Sequence, residues 1–195
     1  SAKYKNVTME NEVLFALNFP GVHNLFYSSD AAGSTGFDLN DVNSLFPFPD
    51  DLRKNLVGEQ STRGTTVSYK FADIKSDYGG KIPLIRMSEM YLIAAESFYN
   101  VNKTEAVGYL ETLQTQRGVP QDLSNLSYTQ LVTVLTGEAR REFVSEGQMF
   151  YWYKRLGLPV DQGSTTITLE PSQFCLPLPA TEVEFGGRKE DYLNN

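Results

Sequence analysis

The sequence has one cysteine and one histidine among 195 residues, and this scarcity limits the chemistry available to the chain. Because Cys175 has no second cysteine to pair with, an intrachain disulfide and a cysteine-ligated metal cluster are excluded. Its apolar surroundings predict a small buried side chain and not a reactive thiol. A two-histidine zinc site is impossible, and a Ser-His-Asp triad would depend on His23 alone. We expect no metal and no cofactor.

Positive charge is also scarce. The chain has 17 Lys and Arg against 24 Asp and Glu, a formal net charge of -7 and a pI of about 4.8. This balance disfavours nucleic acid and anionic lipid as partners and leaves neutral ligands such as sugars open. No apolar run is long enough to cross a membrane. The absence of a signal peptide or lipid-attachment cysteine near Ser1 is typical of a processed product or an excised piece.

Residues 1–82 form the first of three zones and carry few helix signals. An apolar run at residues 12–19 predicts a buried strand or extended segment that ends at Pro20-Gly21. Residues 28–80 are rich in Gly, Ser, Asp and Asn, which indicates long loops with short extended pieces such as residues 65–71. Aromatic residues recur in these loops and argue against plain disorder. They are Phe26, Tyr27, Phe37, Phe46, Phe48, Tyr69, Phe71 and Tyr78.

Residues 83–156 form a helical zone. The first helix is predicted from about Leu84 to Tyr99. Its apolar stripe consists of Met87, Tyr91, Ala94 and Phe98. With the second helix it makes an antiparallel hairpin of about 35 residues, the size of one tetratricopeptide-type repeat. Because a lone repeat cannot bury its apolar face, either the first zone or further repeats must cover it.

Three more helices are predicted in this zone. The second begins at the N-cap Thr104 and ends at Gly118, and the third begins at Ser127 with a capping box and bends or breaks at Gly147. A short aromatic helix follows from Met149 to Leu156. The apolar stripes of the second and third helices are Ala106, Leu110 and Leu113, and Leu131, Leu135, Ala139 and Phe143.

The third zone, residues 157–195, returns to loop and strand. A strand is predicted at residues 165–169, and the prolines Pro177 and Pro179 require an extended segment. The fold class is therefore mainly α, with small β pieces and long loops, arranged as one domain over residues 1–195.

Three glutamates, Glu138, Glu142 and Glu146, share one face of the third helix because they are spaced four residues apart. One interpretation is a carboxylate pair for glycoside hydrolysis. The other is a structural charge network with nearby arginines, namely Arg140, Arg141 and Arg155. Arginine this close holds a carboxylate ionised, which is the wrong state for a general acid. We favour the network, and we interpret Arg86 and Glu89 in the same way.

Two further patterns are weaker. Residues 38–43 offer oxygen ligands but lack the glycine and the closing glutamate of an EF-hand loop, so a turn is preferred to a calcium site. Residues 150–153 form the densest aromatic cluster, which could stack on sugar rings. At helical spacing such residues are more often core, and only one or two of the four need be exposed.

Three segments in order resemble the C-terminal region of the SusD/RagB family. Residues 82–96, IPLIRMSEMYLIAAE, are similar to the family's Arg-x-Ala-Glu-x-Tyr-Leu-x-x-Ala-Glu helix, with Ser88 in place of the first alanine. Residues 138–157 resemble its Glu-Arg-Arg-x-Glu-Leu…Glu-Gly…Arg-x-Gly pattern, and residues 176–182 its Pro-Ile-Pro…Glu turn. The matching positions look structural: Arg86, Glu89, Tyr91, Glu138, Arg141, Glu142, Glu146, Gly147, Arg155, Pro177 and Pro179.

The sequence also departs from that pattern. Met149 and Trp152 stand where the family usually has an Arg and an Asp after the glycine. In the second helix the customary Asn and two Args are replaced by Glu111, Gln114 and Gln116. These departures suggest a divergent member whose helix packing or partner surface differs.

The resemblance implies a surface-exposed outer-membrane lipoprotein of Bacteroidetes that binds glycans without cleaving them and passes them to a SusC-like TonB-dependent transporter. The lipid anchor of such proteins lies in an N-terminal part that has no counterpart here. Because no sugar-binding motif transfers residue by residue, the candidate ligand residues come from the aromatic loops: Phe26, Tyr27, Phe46, Phe48, Asp50, Tyr69 and Tyr78. Core packing is the competing role for each. The alternative functions are a helical protein-binding adaptor, a peptide-uptake protein and, less favoured, a glycosidase.

Overall fold

Helices dominate the part of the chain that the structure describes. This computed structural model describes residues 12–19, 42–60, 65–68, 70, 81–161, 165–175, 181 and 184–186, and it divides into two compact units, residues 1–149 and 150–195. The single domain predicted from the sequence stays a prediction. The elements of the first unit are β1 (Val13–Asn18), α1 (Val42–Leu45), a 3-10 helix (Leu52–Leu56), β2 (Val57–Gln60), β3 (Thr65–Ser68), β4 (Lys81–Arg86), α2 (Met87–Phe98), α3 (Lys103–Gln116) and α4 (Tyr128–Glu142).

The strands of this unit form two antiparallel pairs, β1 with β4 and β2 with β3. The strand predicted at residues 12–19 is confirmed, but its predicted burial is wrong. Leu14 is 56% exposed and Phe15 54% exposed. Among the described residues β1 pairs with β4 alone, and a two-stranded sheet encloses apolar side chains less fully than a core sheet covered on both faces.

The first helix of the helical zone begins later than predicted, because residues 81–86 pair with β1 as β4 and α2 begins at Met87. The buried side of α2 also differs from the predicted stripe. Ser88, Leu92 and Ala95 are buried, at 0–1% exposed. The predicted stripe of Met87, Tyr91, Ala94 and Phe98 is only partly buried. The helix therefore carries apolar residues on two sides.

Helix α3 matches its predicted apolar stripe, since Ala106, Leu110 and Leu113 are all buried. Its N-cap is Asn102 and not Thr104, because the Asn102 side chain accepts a hydrogen bond from Glu105 N at 3.3 Å. The helix ends at Gln116, two residues before Gly118, whose φ of +79° reverses the chain.

Helix α4 begins with the capping box predicted at Ser127. Its predicted stripe is confirmed as core: Leu131, Leu135, Ala139 and Phe143 are at most 3% exposed. Helices α2 and α3 pack together as the predicted hairpin, and α4 packs against α2. Gly147, with φ of +73°, lies in the turn that follows α4. The core of this unit lies among these three helices.

The second unit contains α5 (Met149–Leu156), β5 (Val160–Asp161), β6 (Thr166–Ile167) and a 3-10 helix (Pro171–Phe174). The first residue of α5, Met149, is the last residue of the first unit. Strands β5 and β6 pair, so the strand predicted at residues 165–169 is present but shorter. Cys175 is exposed, which corrects the predicted burial. Pro177, Pro179 and Glu182 lie outside the described residues. No helix among the described residues is both long and apolar enough to span a membrane.

Candidate functional site

The three glutamates predicted to share one helix face lie in a buried cluster of charged side chains, but only Glu138 and Glu142 belong to α4, because the helix ends at Glu142 and Glu146 lies in the turn after it. Glu142 is 0% exposed and accepts hydrogen bonds from three arginines on three other elements. Arg86 Nη1 at the end of β4 lies 2.7 Å away, Arg117 Nε after α3 lies 3.0 Å away, and Arg53 Nη1 in the 3-10 helix lies 3.1 Å away. One carboxylate thus joins segments that are far apart in the sequence.

The other two glutamates extend the cluster on either side of Glu142, Glu138 within α4 and Glu146 in the turn after it. Glu138 accepts from Arg53 Nη1 at 2.5 Å and from Arg141 Nη2 at 2.6 Å. Glu146 accepts from Arg86 Nη2 at 2.6 Å and from the ammonium of Lys70. We call the following residues the ion cluster: Glu12, Asp51, Arg53, Lys70, Arg86, Arg117, Glu138, Arg141, Glu142 and Glu146.

Asp51 and Glu12 complete the pairing at the edges of the ion cluster. Asp51, which is 2% exposed, accepts from Arg53 Nε at 2.9 Å and from Arg53 Nη2 at 2.8 Å. Glu12 accepts from Arg117 Nη1 at 2.8 Å and from Arg117 Nη2 at 2.6 Å. Both pairs are bidentate, the geometry in which arginine binds a carboxylate most firmly.

The electrostatics of the ion cluster oppose acid catalysis by Glu142. Burial alone would raise the pKa of this carboxyl, but the charges of Arg117 and Arg86 outweigh burial and hold the pKa well below its ordinary value. An ionised carboxylate has no proton to give to a leaving group. The sequence-based preference for a structural charge network over a hydrolytic carboxylate pair is therefore supported for Glu142, and the i, i+3 pair of Glu138 with Arg141 is present.

Lys70 makes the stability of the folded chain depend on pH in the alkaline range. Burial lowers the pKa of Lys70 from 10.5 to about 8, although Glu146 opposes the shift. Between these two pH values the unfolded chain binds more protons than the folded chain, so stability rises with pH. We expect the free energy of unfolding of the wild type, minus that of Lys70→Met, to increase by about 3 kcal/mol between pH 7 and pH 10.5. Urea unfolding at both pH values measures this difference.

Lys154→Met is the matched control, because Lys154 is an exposed lysine in the second unit. Its effect on the free energy of unfolding at pH 7 should stay within about 0.5 kcal/mol. A wild-type-minus-Lys70→Met difference that falls with pH would show that Lys70 keeps its proton in the folded chain.

The structure places the predicted ligand residues in different environments. Phe46 is 1% exposed and has no ring face available for a sugar, so it is corrected to a core residue. Phe48 is partly buried, with the Arg141 guanidinium 5.5 Å from its ring centre. Asp50 is exposed. The remaining predicted ligand residues lie outside the described residues: Phe26, Tyr27, Tyr69 and Tyr78. Asp38, Asn40 and Asp41 of the weak calcium pattern also lie outside them.

The aromatic cluster of α5 divides as the sequence suggested, with two rings exposed. Tyr151 is 70% exposed and Phe150 is 42% exposed, whereas Tyr153 is 5% exposed. Phe150 contacts Phe174 with ring centres 5.6 Å apart, and the Arg155 guanidinium lies 5.1 Å from the Trp152 ring. The exposed ring of Tyr151 lies against Phe150, with ring centres 5.6 Å apart.

Sequence reasoning missed five members of the ion cluster, the cations Arg53, Lys70 and Arg117 and the acids Glu12 and Asp51. One signal in the sequence indicated further cations. Three acidic residues are spaced four apart, and three buried negative charges need more than the single positive charge that Arg141 provides. Which other segments supply those cations depends on tertiary packing over as many as 89 residues of sequence. Among the described residues, no group of three His, Cys, Asp or Glu side chains is arranged to hold a metal ion.

The part of the chain that the structure describes has a mainly helical fold, made of a tetratricopeptide-type hairpin, a third helix joined to it by a buried ion cluster, and small two-stranded sheets. The SusD family model matches residues 33–180, and the chain belongs to this family. The fold is accordingly the mainly α, SusD-like fold expected from the sequence. None of the curated proteins compared with the chain matches it.

Three solved structures are similar to this chain. A SusD superfamily protein from Bacteroides thetaiotaomicron has a TM-score of 0.70 and 23% identity, over 95% of this chain and 50% of its own. A SusD superfamily protein from Bacteroides vulgatus has a TM-score of 0.62 and 21% identity, over 94% and 47%. A SusD-like carbohydrate binding protein from Bacteroides vulgatus has a TM-score of 0.58 and 26% identity, over 76% and 36%. The chain thus spans half or less of each of these proteins.

Proposed function

We propose that this chain belongs to a non-catalytic surface protein that binds an oligosaccharide and delivers it to a SusC-like TonB-dependent transporter. Membership of the SusD family is the observation that carries the proposal. One similar structure is described as a SusD-like carbohydrate binding protein, which supports glycan binding as the activity. The site of action is then the outer face of the outer membrane.

The charge of the chain fits a neutral ligand. A net charge of -7 repels polyanions, whereas sugar hydroxyls are recognised by hydrogen bonds and sugar rings by aromatic faces. The buried arginines hold the pKa of Glu142 well below its ordinary value, so this carboxylate stabilises the fold and has no proton to give to a leaving group. Capture without hydrolysis is the activity that agrees with both features.

The proposed sugar contacts lie in the loops of the first zone. Among the described residues, Asp50 offers an exposed carboxylate and Phe48 a partly exposed ring, both in the turn that precedes the 3-10 helix. This turn is held firmly, because Asp51 pairs with Arg53 inside the ion cluster. A fixed loop on a rigid scaffold is a common location for recognition residues. Phe26, Tyr27, Tyr69 and Tyr78 complete the proposed site.

A glycan array followed by titration calorimetry tests the proposal. We expect at least one oligosaccharide to bind and to be recovered uncut after prolonged incubation, as checked by chromatography of the mixture. Asp50→Ala should weaken that binding about tenfold, because a hydrogen bond to a charged group contributes about 1.5–3 kcal/mol. Glu184→Ala, which removes an exposed carboxylate in the second unit, should leave the affinity unchanged.

The outcomes separate the candidate functions. Cleavage of the bound glycan would establish an enzyme. An absence of glycan binding would favour the second candidate, a helical adaptor that binds protein. The apolar side chains exposed on β1 and β4 favour that candidate: Leu14, Phe15, Leu17, Leu84 and Ile85. A peptide in place of a sugar as the transported ligand would appear as binding in a peptide array.

A further inference from the structure

Helix α5 exposes two aromatic rings and two cations on one side. Tyr151 is 70% exposed and Phe150 is 42% exposed, and Lys154 and Arg155 are exposed as well. Because residues three and four apart are neighbours on a helix surface, Lys154 lies beside both rings. The helix contains no acidic residue. We call Phe150, Tyr151 and Lys154 together the α5 face.

The two rings of the α5 face are held by packing within the second unit. The ring of Tyr151 meets the ring of Phe150 edge to face, with ring centres 5.6 Å apart and an angle of 84° between the planes. Phe150 packs in turn on Phe174 of the 3-10 helix, with ring centres 5.6 Å apart. A side chain that is already ordered loses little conformational freedom when a ligand binds to it. The exposed ring of Tyr151 is therefore a preformed surface for stacking.

The ammonium of Lys154 is fixed close to these rings and keeps donors for a ligand. It donates one hydrogen bond to the carbonyl oxygen of Phe174 at 3.1 Å. A lysine ammonium has three N–H donors, so two remain. No carboxylate among the residues that the structure describes forms an ion pair with Lys154. An anionic group of a ligand could therefore bind here without breaking an existing ion pair.

The charge of α5 differs from the charge of the whole chain. The chain has a net charge of -7, whereas Met149–Leu156 has two cations and no acid. At physiological ionic strength the Debye length is about 8 Å, so an exposed ligand responds mainly to the charges nearest to it. The net charge still repels polyanions, but a ligand with a single negative charge is complementary to these two cations.

An acidic sugar matches this combination of aromatic rings and positive charge. The apolar face of a sugar ring packs on an aromatic ring, and a carboxylate on the same sugar accepts charge-assisted hydrogen bonds from an ammonium. A protein partner matches less well. The apolar side chains that α5 exposes are both aromatic, whereas those exposed on β1 and β4 are mostly aliphatic.

We propose that the α5 face binds a uronic acid residue of the oligosaccharide that this chain captures. The sugar ring stacks on Tyr151, and its carboxylate accepts hydrogen bonds from the ammonium of Lys154. This inference rests on the proposed glycan-binding function and narrows the ligand to a mainly neutral glycan that carries one acidic sugar. The contact is additional to the proposed loop residues of the first unit, such as Asp50.

Titration calorimetry of the 195-residue chain tests the inference with two sets of probes. One set consists of short oligosaccharides that each contain one glucuronic or galacturonic acid. The other consists of their methyl esters, which keep the shape of the sugar and remove its charge. We expect wild type to bind at least one of the acids, and to bind its ester about tenfold more weakly.

Variants assign the two contacts separately. Lys154→Met should bind the acid and the ester equally, whereas Lys154→Arg should keep the preference for the acid, because arginine also donates to carboxylates. Tyr151→Ala should weaken the binding of both probes about fivefold, since each of them stacks on the ring. Tyr128→Ala and Lys103→Met are the matched controls, an exposed tyrosine and an exposed lysine of the first unit, and both should bind like wild type.

The outcomes separate this inference from the proposed function. Equal affinity of wild type for acid and ester, or undiminished affinity in Tyr151→Ala, overturns the inference and leaves glycan binding in place. A chain that binds no glycan, acidic or neutral, overturns both.

An anionic membrane is the other surface that aromatic and cationic side chains of a helix bind. We expect the chain to stay in the supernatant when vesicles of phosphatidylglycerol and phosphatidylcholine are sedimented. Co-sedimentation that Tyr151→Ala abolishes would assign the α5 face to lipid and overturn the inference.

Discussion

Glu142→Ala is expected to lower the free energy of unfolding by about 3–5 kcal/mol. The change removes the carboxylate shared by Arg53, Arg86 and Arg117, each of which is at most 2% exposed. Removing one partner of a buried ion pair costs about 3–5 kcal/mol, because the remaining charge has neither water nor a counter-ion. Native domains are stable by only about 5–15 kcal/mol, so this loss uses a large share of the total. Urea unfolding followed by circular dichroism measures it.

Glu184→Ala is the control, because this carboxylate is exposed, and its effect should stay within about 0.5 kcal/mol. The pH dependence gives a second check. Since the pKa of Glu142 is held well below its ordinary 4.5, its contribution is present above pH 4.5 and is lost as the pH falls further. The difference in the free energy of unfolding between wild type and Glu142→Ala should therefore become smaller as the pH falls below 4.5. A Glu142→Ala variant as stable as wild type at pH 7 would contradict this prediction, because it would mean that the three arginines find other partners nearby.

Gly118→Ala is expected to cost about 2–5 kcal/mol. The residue has φ of +79°, which disfavours any side chain by about 1–2 kcal/mol. Its new Cβ would also lie 2.7 Å from the Asp50 carbonyl oxygen, a backbone atom that cannot move alone. The Leu52 amide donates to the Arg117 carbonyl oxygen at 3.0 Å beside this contact, so the shift would pull on the turn that carries Asp51. A backbone shift that relieves this steric clash costs about 1–3 kcal/mol more.

Gly147→Ala measures the cost of a side chain at positive φ without the steric clash that Gly118→Ala introduces. Gly147 has nearly the same φ, +73°, but a Cβ there meets nothing within 4 Å. Its cost should be only the conformational part, about 1–2 kcal/mol. Chemical denaturation of both variants under one set of conditions compares them directly. Equal losses would show that the Asp50 carbonyl yields without resistance.

Local signals in the sequence predicted the helices well. The capping box at Ser127 and the four-residue spacing from Leu131 to Phe143 define α4 through short-range geometry alone, and the structure confirms both. The start of α2 was predicted too early because residues 84–86 have helix-compatible side chains, yet they pair with β1. Pairing with a strand about 70 residues away is tertiary information that a local pattern does not contain.

The burial of α2 and of the candidate ligand residues was harder to predict for a similar reason. Two apolar stripes on α2 compete for the interior, and the position of α4 decides which is buried. Phe46 and Phe48 are two residues apart in one aromatic loop, yet one is core and the other partly open. Sequence identifies aromatic loops as recognition candidates, but it does not say which ring faces water.

The sequence separation of the ion cluster also affects how the chain is made. Arg53 is synthesised 89 residues before its partner Glu142. At about 5–20 residues per second, the ribosome leaves this arginine without that carboxylate for roughly 4–18 seconds. Arg86 and Arg117 wait as well, for shorter times. The core of the first unit therefore cannot be completed until α4 has been synthesised, and until then its apolar segments stay exposed and prone to aggregation.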